Sequence, residues 1–156
     1  MHIRLIAVGD RQPSWVDAAF ENYLKRLPRQ WQFRLDPVAS APRTRKSGSE
    51  GAIKAESEMV LAKIRQAEFV VVLDERGTEW SSRELADRLQ VWQQEGRDLA
   101  FVIGGPDGVS AECLDRADLR WSLSRLTLAH GLARVLLIEQ LYRAWCLLSG
   151  HPYHRA

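Results

Sequence analysis

Cysteine is scarce in this chain, long apolar runs are missing, and net charge is close to zero. Each shortage removes a class of protein. Cys113 and Cys146 are the only two cysteines, and their spacing fits neither a zinc site nor a C-x-x-C redox pair. A disulfide-stapled scaffold is not expected; two buried thiols in a reducing cytoplasm are. The most apolar stretch, near 132–148, is interrupted by Arg134, Glu139 and Arg143, so it does not read as a membrane span. The early run "IRLIAV" is too short for a signal peptide and reads as a strand. A net charge of +2 does not describe a uniformly basic nucleic-acid binder. There is no G-x-G-x-x-G after the first strand and no G-x-x-x-x-G-K-[ST] anywhere, which argues against dinucleotide and P-loop sites. Repeats and linkers are also missing, so the 156 residues are expected to form a single domain, 1–156.

What is present alternates. "HIRLIAV" (2–8), "QWQFRLDPVA" (30–39), "FVVVL" (69–73), "LAFVI" (99–103) and "LRWSL" (119–123) read as strands. Pro37 marks the second of these as an edge or a bulge. Between them, 14–27, 52–67, 81–96, 110–117 and 131–149 carry helical patterns. Ser14 is expected to cap the first helix, Ser81 and Glu84 to form a capping box, and Gly96 to close the third helix. Residues 40–51 form a polar loop. Strands separated by helices predict an α/β domain on a mostly parallel sheet. Ligands of such sheets bind beyond the carboxyl ends of the strands. Three segments reach that edge: "VLDERG", "IGGPDG" and "LSRLTL". Gly104 is expected to be bare because a ligand lies against it, and Asp107 disfavours a polyphosphate.

The last helix is apolar nearly all round, the signature of a buried helix. At the end of a small chain this favours burial against a second subunit, with Leu137 and Leu141 expected at the interface, over the alternative of a central helix in a monomer's own core. Charge is uneven: residues 120–156 hold five Arg (Arg120, Arg125, Arg134, Arg143, Arg155) against the single acid Glu139, and "PRTRKSG" adds a second basic cluster at 42–48. The two clusters read either as solvated faces or as phosphate patches. Most of the six Trp, including Trp92 and Trp145, read as core, and Glu139 as an ion-pair partner of Arg134 or Arg143.

"VLDERGTEWSSRELA", "FVIGGPDG", "WSLSRLTLAHGLARVLLIEQLYRAW" and the terminal "HPYHRA", in that order, resemble the RlmH family of the SPOUT class. These are bacterial large-subunit rRNA methyltransferases acting on N3 of a pseudouridine. The resemblance covers essentially the whole chain. One departure is that the prolines often flanking the histidine in the family are Ala129 and Gly131 here. The resemblance implies a parallel-sheet α/β knot with a C-terminal trefoil knot, a homodimer, and S-adenosyl-L-methionine as cofactor. It places cofactor contacts at Leu73, Gly104, Leu123, Ser124, Arg125, Leu126, Thr127 and Leu128. It implies 23S rRNA as substrate, in the helix 69 loop on the assembled ribosome, and a cytoplasmic protein without membrane contact.

Methylating an imide nitrogen requires that its proton leave. The histidines are His2, His130, His151 and His154. His2 reads as structural, and His130, at the start of the last helix, as a cap or a base. The tail "HPYHRA" mixes aromatic and basic groups suited to an unpaired base and a phosphate. Tyr153 and Arg155 are therefore expected on the substrate side, with His154 as proton acceptor. No metal is expected. Two other classes stay open from sequence: a ribosome-binding factor without catalysis and a small nucleotide-binding module.

Overall fold

A computed structural model describes residues 1–46 and 48–154. Five strands, β1 (Ile3–Val8), β2 (Arg34–Val38), β3 (Phe69–Glu79), β4 (Leu99–Ile103) and β5 (Leu119–Ser122), form one sheet in the order β2-β1-β4-β3-β5, every pair parallel. The helices are α1 (Ser14–Leu24), α2 (Gly48–Lys63), α3 (Ser82–Glu95), α4 (Ala111–Arg116) and α5 (His130–Ser149). Short 3-10 turns at Arg29–Trp31 and Pro152–His154 complete the chain.

Strand alternation sorts the side chains to two faces. Ile3, Leu5 and Ala7 of β1 join Phe20, Leu85, Leu89, Leu137 and Leu141 in a core beneath α1, α3 and α5. Ile6 and Val8 join Val60, Val70, Val72, Val102 and Cys113 beneath α2 and α4. Arg4 points to this second face and is buried. It donates to Glu68 from Nε at 2.8 Å and Nη2 at 2.7 Å, and to Asp36 from Nη1 at 2.7 Å. Burial pushes the Glu68 and Asp36 carboxyls up, but the Arg4 guanidinium more than offsets it and holds both below their ordinary values. This trio ties β1, β2 and the start of β3 together, a link unreadable from periodicity because its members lie far apart in sequence.

Ser81 and Glu84 form the expected capping box, and Gly96 ends α3 in the left-handed region at φ 68°. Pro37 lies on β2, an edge strand. Ser14 is not a cap: Pro13 occupies that position and Ser14 is the first helical residue. The proline presets the entry backbone, which fits the residue just before a helix. The loop after β2 is shorter than expected, because α2 begins at Gly48. β3 runs past Leu73 to Glu79, with a register shift between Leu73 and Thr78. Residues 74–77 thus loop out at the carboxyl edge of the sheet. Gly77 permits this: a Cβ there would lie 2.6 Å from the backbone of Arg120.

The faces of α5 differ from the expected ones. Leu137 and Leu141 are fully buried in the chain's own core. The exposed apolar residues of the helix are Leu132, at 43 %, and Leu136, at 38 %. Trp15 of α1, 55 % exposed, belongs to the neighbouring first turn, since a Cβ on Gly131 would meet Val16 at 2.8 Å. Apolarity all round thus arises from two faces with different roles.

The C-terminal arginines form no single phosphate patch. Arg134 is buried, and Arg143 pairs with Glu139 at 2.7 Å. Arg120 and Arg125 remain exposed, and Arg155 lies outside the described residues. Arg43, in the other basic cluster, is paired with Glu56 and Asp107.

Candidate cofactor cleft

Beyond the carboxyl ends of β3, β4 and β5 lies an open cleft of about 500 Å³, within the range of small-molecule sites. The 74–77 excursion supplies Asp74, Glu75 and Arg76; the turn after β4 supplies Gly104 to Val109; the segment after β5 supplies Leu123, Ser124, Leu126, Thr127 and Leu128. Leu73, Ile103, Leu114, Arg120, His130 and Ala133 complete the lining. Of the residues expected at a cofactor, Leu73, Gly104, Leu123, Ser124, Leu126, Thr127 and Leu128 come together here. Arg125 does not line the cleft: its side chain is exposed and lies 3.9 Å from Glu79.

The cleft walls are pinned by short polar links. Thr127 Oγ1 donates to Glu75 Oε2 at 3.0 Å, joining the first and third segments. Leu126 N donates to Ser124 Oγ at 3.0 Å, and Ser122 Oγ to Ser124 O at 2.8 Å. Gly108, at φ +87°, donates to Gly105 O at 3.0 Å and closes the turn. Gly104 has a packing reason to be bare. A Cβ there would sit 2.6 Å from Val109 Cγ1 and 2.9 Å from the Gly108 carbonyl carbon, so the turn's own packing demands glycine.

His130 is a peg at the cleft floor. Its Nε2 accepts from Arg134 Nε at 3.1 Å, so that nitrogen has no lone pair to take a substrate proton. Burial and the Arg134 charge lower its pKa, and a hydrogen bond to the Gly104 backbone offsets part of this. The imidazole is neutral near pH 7. Arg134 in turn donates to the backbone oxygens of Val8 and Gly9. The His130 side chain makes no capping bond at the start of α5.

Tyr153 sits elsewhere. Its Oη hydrogen-bonds Glu139 Oε1 at 2.9 Å and Tyr23 Oη at 3.2 Å. Its ring meets the Tyr142 ring at 4.7 Å, and the Arg143 guanidinium lies 5.0 Å from its centroid. Burial, Tyr23 and Glu139 all raise the hydroxyl's pKa. Glu139 is nine residues along α5 from His130, about 14 Å at 1.5 Å per residue. Tyr153 therefore stands well away from the cleft. The His154 side chain and Arg155 lie outside the described residues.

Sequence reasoning missed Asp74, Glu75 and Arg120 as cleft residues. "VLDERG" after an apolar strand marked the segment, but not that β3 would resume beyond it.

Glycine-tight turns, leucine walls and acids at the rim suit a cofactor with an apolar-faced base and positive charges. No described cluster of His, Cys, Asp and Glu could hold a metal ion. A parallel α/β sheet with this cleft at its carboxyl edge is the architecture of a methyltransferase class. A family profile described as "Predicted SPOUT methyltransferase" matches residues 1–154, and the chain belongs to that family. S-adenosylmethionine is the methyl donor of the class, and the residues present fit it: the leucines can wall an adenine, and the carboxylates of Asp74 and Glu75 can complement its cationic groups. The chain is 48 % identical over 155 residues to "Ribosomal RNA large subunit methyltransferase H" of Chromohalobacter salexigens, covering 99 % of this chain and 100 % of that one. The protein of the same name from Methylococcus capsulatus is 47 % identical over the same span. Among solved structures, a probable methylase family protein from Haemophilus influenzae superposes with a TM-score of 0.57 at 16 % identity, over 95 % of this chain and 68 % of that one. A probable methyltransferase from Bordetella pertussis gives 0.54 at 18 % identity, over 91 % and 93 %. Membership of an enzyme family sets aside the non-catalytic binding factor and the nucleotide module.

Proposed function

We propose that this protein methylates N3 of a pseudouridine in the helix 69 loop of 23S rRNA, in the cytoplasm, on the assembled ribosome and as a homodimer. The observation that carries the reading is the convergence of Leu73, Gly104, Leu123, Ser124, Leu126, Thr127 and Leu128 on one cleft, in a chain matched end to end by relatives named for large-subunit rRNA methylation. The trefoil passage of the chain belongs to the same reading, supported by the family match over residues 1–154.

Bound S-adenosylmethionine supplies a methyl group already activated on a sulfonium. The chain's task is to bind, orient and manage one proton. Leu73, Leu123, Leu126 and Leu128 wall the base, while the backbone of 104–108 and 123–128 reads its edge. Arg76, Arg120 and Arg125, around the mouth, attract the RNA backbone. His130 is engaged by Arg134 and holds the floor, so the N3 proton passes to His154 or to water. Arg155 contacts a phosphate.

The dimer reading is supported by the exposure of Leu132, Leu136 and Trp15, together with Leu126, 73 % exposed beside the cleft. Tyr153 is held away from its own cleft by Tyr23 and Glu139, which supports a tail that serves the partner's. No described helix is long and apolar enough to cross a membrane.

The test is incubation with labelled S-adenosylmethionine and free rRNA, large subunits or whole ribosomes from an unmodified strain, followed by mapping of the methylated nucleotide. Label at N3 of a helix 69 pseudouridine, in ribosomes above all, is expected. Label elsewhere, or none with S-adenosylhomocysteine bound, would refute the substrate.

A further inference from the structure

The cleft has a rear support that its lining residues do not supply. Glu56 of α2 is 1 % exposed. Its carboxylate accepts from Ala41 N at 3.0 Å, and from Arg43 Nη1 at 2.8 Å and Nη2 at 3.3 Å. The same guanidinium donates from Nε to Asp107 Oδ2 at 3.0 Å and from Nη1 to Ala41 O at 2.9 Å. Gly105 rests on this group: a Cβ there would lie 2.8 Å from Glu56 Oε1 and 3.4 Å from Arg43 Nη2. Just past the turn, Ser110 N donates to Ser57 Oγ of α2 at 2.9 Å. Gly105 and Asp107 line the cleft; Arg43 and Glu56 do not.

We propose that Glu56, Arg43 and Asp107 form a positioning relay for the cofactor. Glu56 seats Arg43, and Arg43 holds Asp107 so that the 104–108 turn keeps the shape that admits S-adenosylmethionine. The proposal rests on the cofactor reading of the cleft and extends the site to residues outside it. A buried carboxylate persists only with partners, so Glu56 makes the seat of Arg43 specific. A planar guanidinium spans two acids at once, which a lysine ammonium cannot do with the same geometry. The basic cluster at 42–48 therefore spends one of its cations on the cofactor turn and not on RNA.

Calorimetric titration with S-adenosylhomocysteine tests this on wild type, Arg43→Ala, Arg43→Lys, Asp107→Asn and the Arg43→Ala/Asp107→Asn double variant. Arg43→Ala and Asp107→Asn are each expected to weaken binding about fivefold, and the double variant no further than the weaker single one. Arg43→Lys should recover only part of the loss. Arg43→Ala/Glu56→Gln removes the stranded buried charge, so weak binding there is not due to misfolding. Amide hydrogen exchange at 105, 107 and 108 without ligand should quicken in Arg43→Ala and Asp107→Asn while exchange in β1 stays slow. Binding within twofold of wild type in Arg43→Ala and in Arg43→Ala/Glu56→Gln, or fully multiplicative losses in Arg43→Ala/Asp107→Asn, overturns the relay. Should wild type itself not bind S-adenosylhomocysteine, the cofactor reading fails separately. Unchanged exchange in the turn then overturns the relay by itself.

Discussion

Leu136 and Leu137 are neighbours in sequence with opposite expected fates. Leu137 is fully buried between α5 and the sheet, whereas Leu136 is 38 % exposed. Leu137→Ala removes buried methyl groups and leaves a cavity, a change of about 3–4 kcal/mol. For a domain of this size that lowers Tm by about 10 °C, at about 2–4 °C per kcal/mol. The association state should survive, because the exposed face is untouched. Leu136→Glu leaves the core intact and places a carboxylate on the proposed dimer face, twice over by two-fold symmetry. Each charge would be desolvated without a partner, which costs several kcal/mol and lowers a micromolar affinity by orders of magnitude. Sedimentation velocity across protomer concentrations, combined with thermal melting, separates the two. Wild type should sediment as a dimer with a concentration-dependent Tm. Leu136→Glu should sediment as a monomer with a concentration-independent Tm. Dimeric Leu136→Glu at micromolar concentration, or Leu137→Ala melting with wild type, would refute this assignment of faces.

Gly104→Ala should lower both Tm and S-adenosylhomocysteine affinity through the clash with Val109, and Gly104→Ala/Val109→Ala should restore part of each because the Gly108 backbone still crowds the site; a double variant no better than the single one contradicts the packing account. Glu68 and Asp36 are held below their ordinary pKa values of 4.5 and 3.8 in the folded state. Their contribution is therefore present above those values and lost as pH falls through the lower folded ones. Urea denaturation of Glu68→Gln across pH 3–7 should show a smaller loss on acidification than wild type. Removing residues 151–156 should spare S-adenosylhomocysteine binding and suppress methylation in single-turnover assays; wild-type rates in the truncated protein would return the proton acceptor to water.

Element types, the two ends of α3 and the three strand-end segments were legible in the sequence because each rests on residues within a turn or two of one another. Ser81, Glu84 and Gly96 place α3 by local hydrogen bonding, and the wholly apolar β4 announces a strand covered on both faces. The ordered C-terminal motifs carried the family, and with it the residues that meet at the cleft. Tertiary structure decided what depends on distant partners. It gave Leu137 to the core and Leu136 to the surface, buried Arg134 against the carbonyls of Val8 and Gly9, and turned His130 from a candidate base into an acceptor for that arginine. It also drew Arg43 away from any phosphate role and onto Glu56 and Asp107. Periodicity states how apolar a position is. Which neighbour a buried charge finds depends on strand order, and β1 lies beside β4 only after the chain has folded.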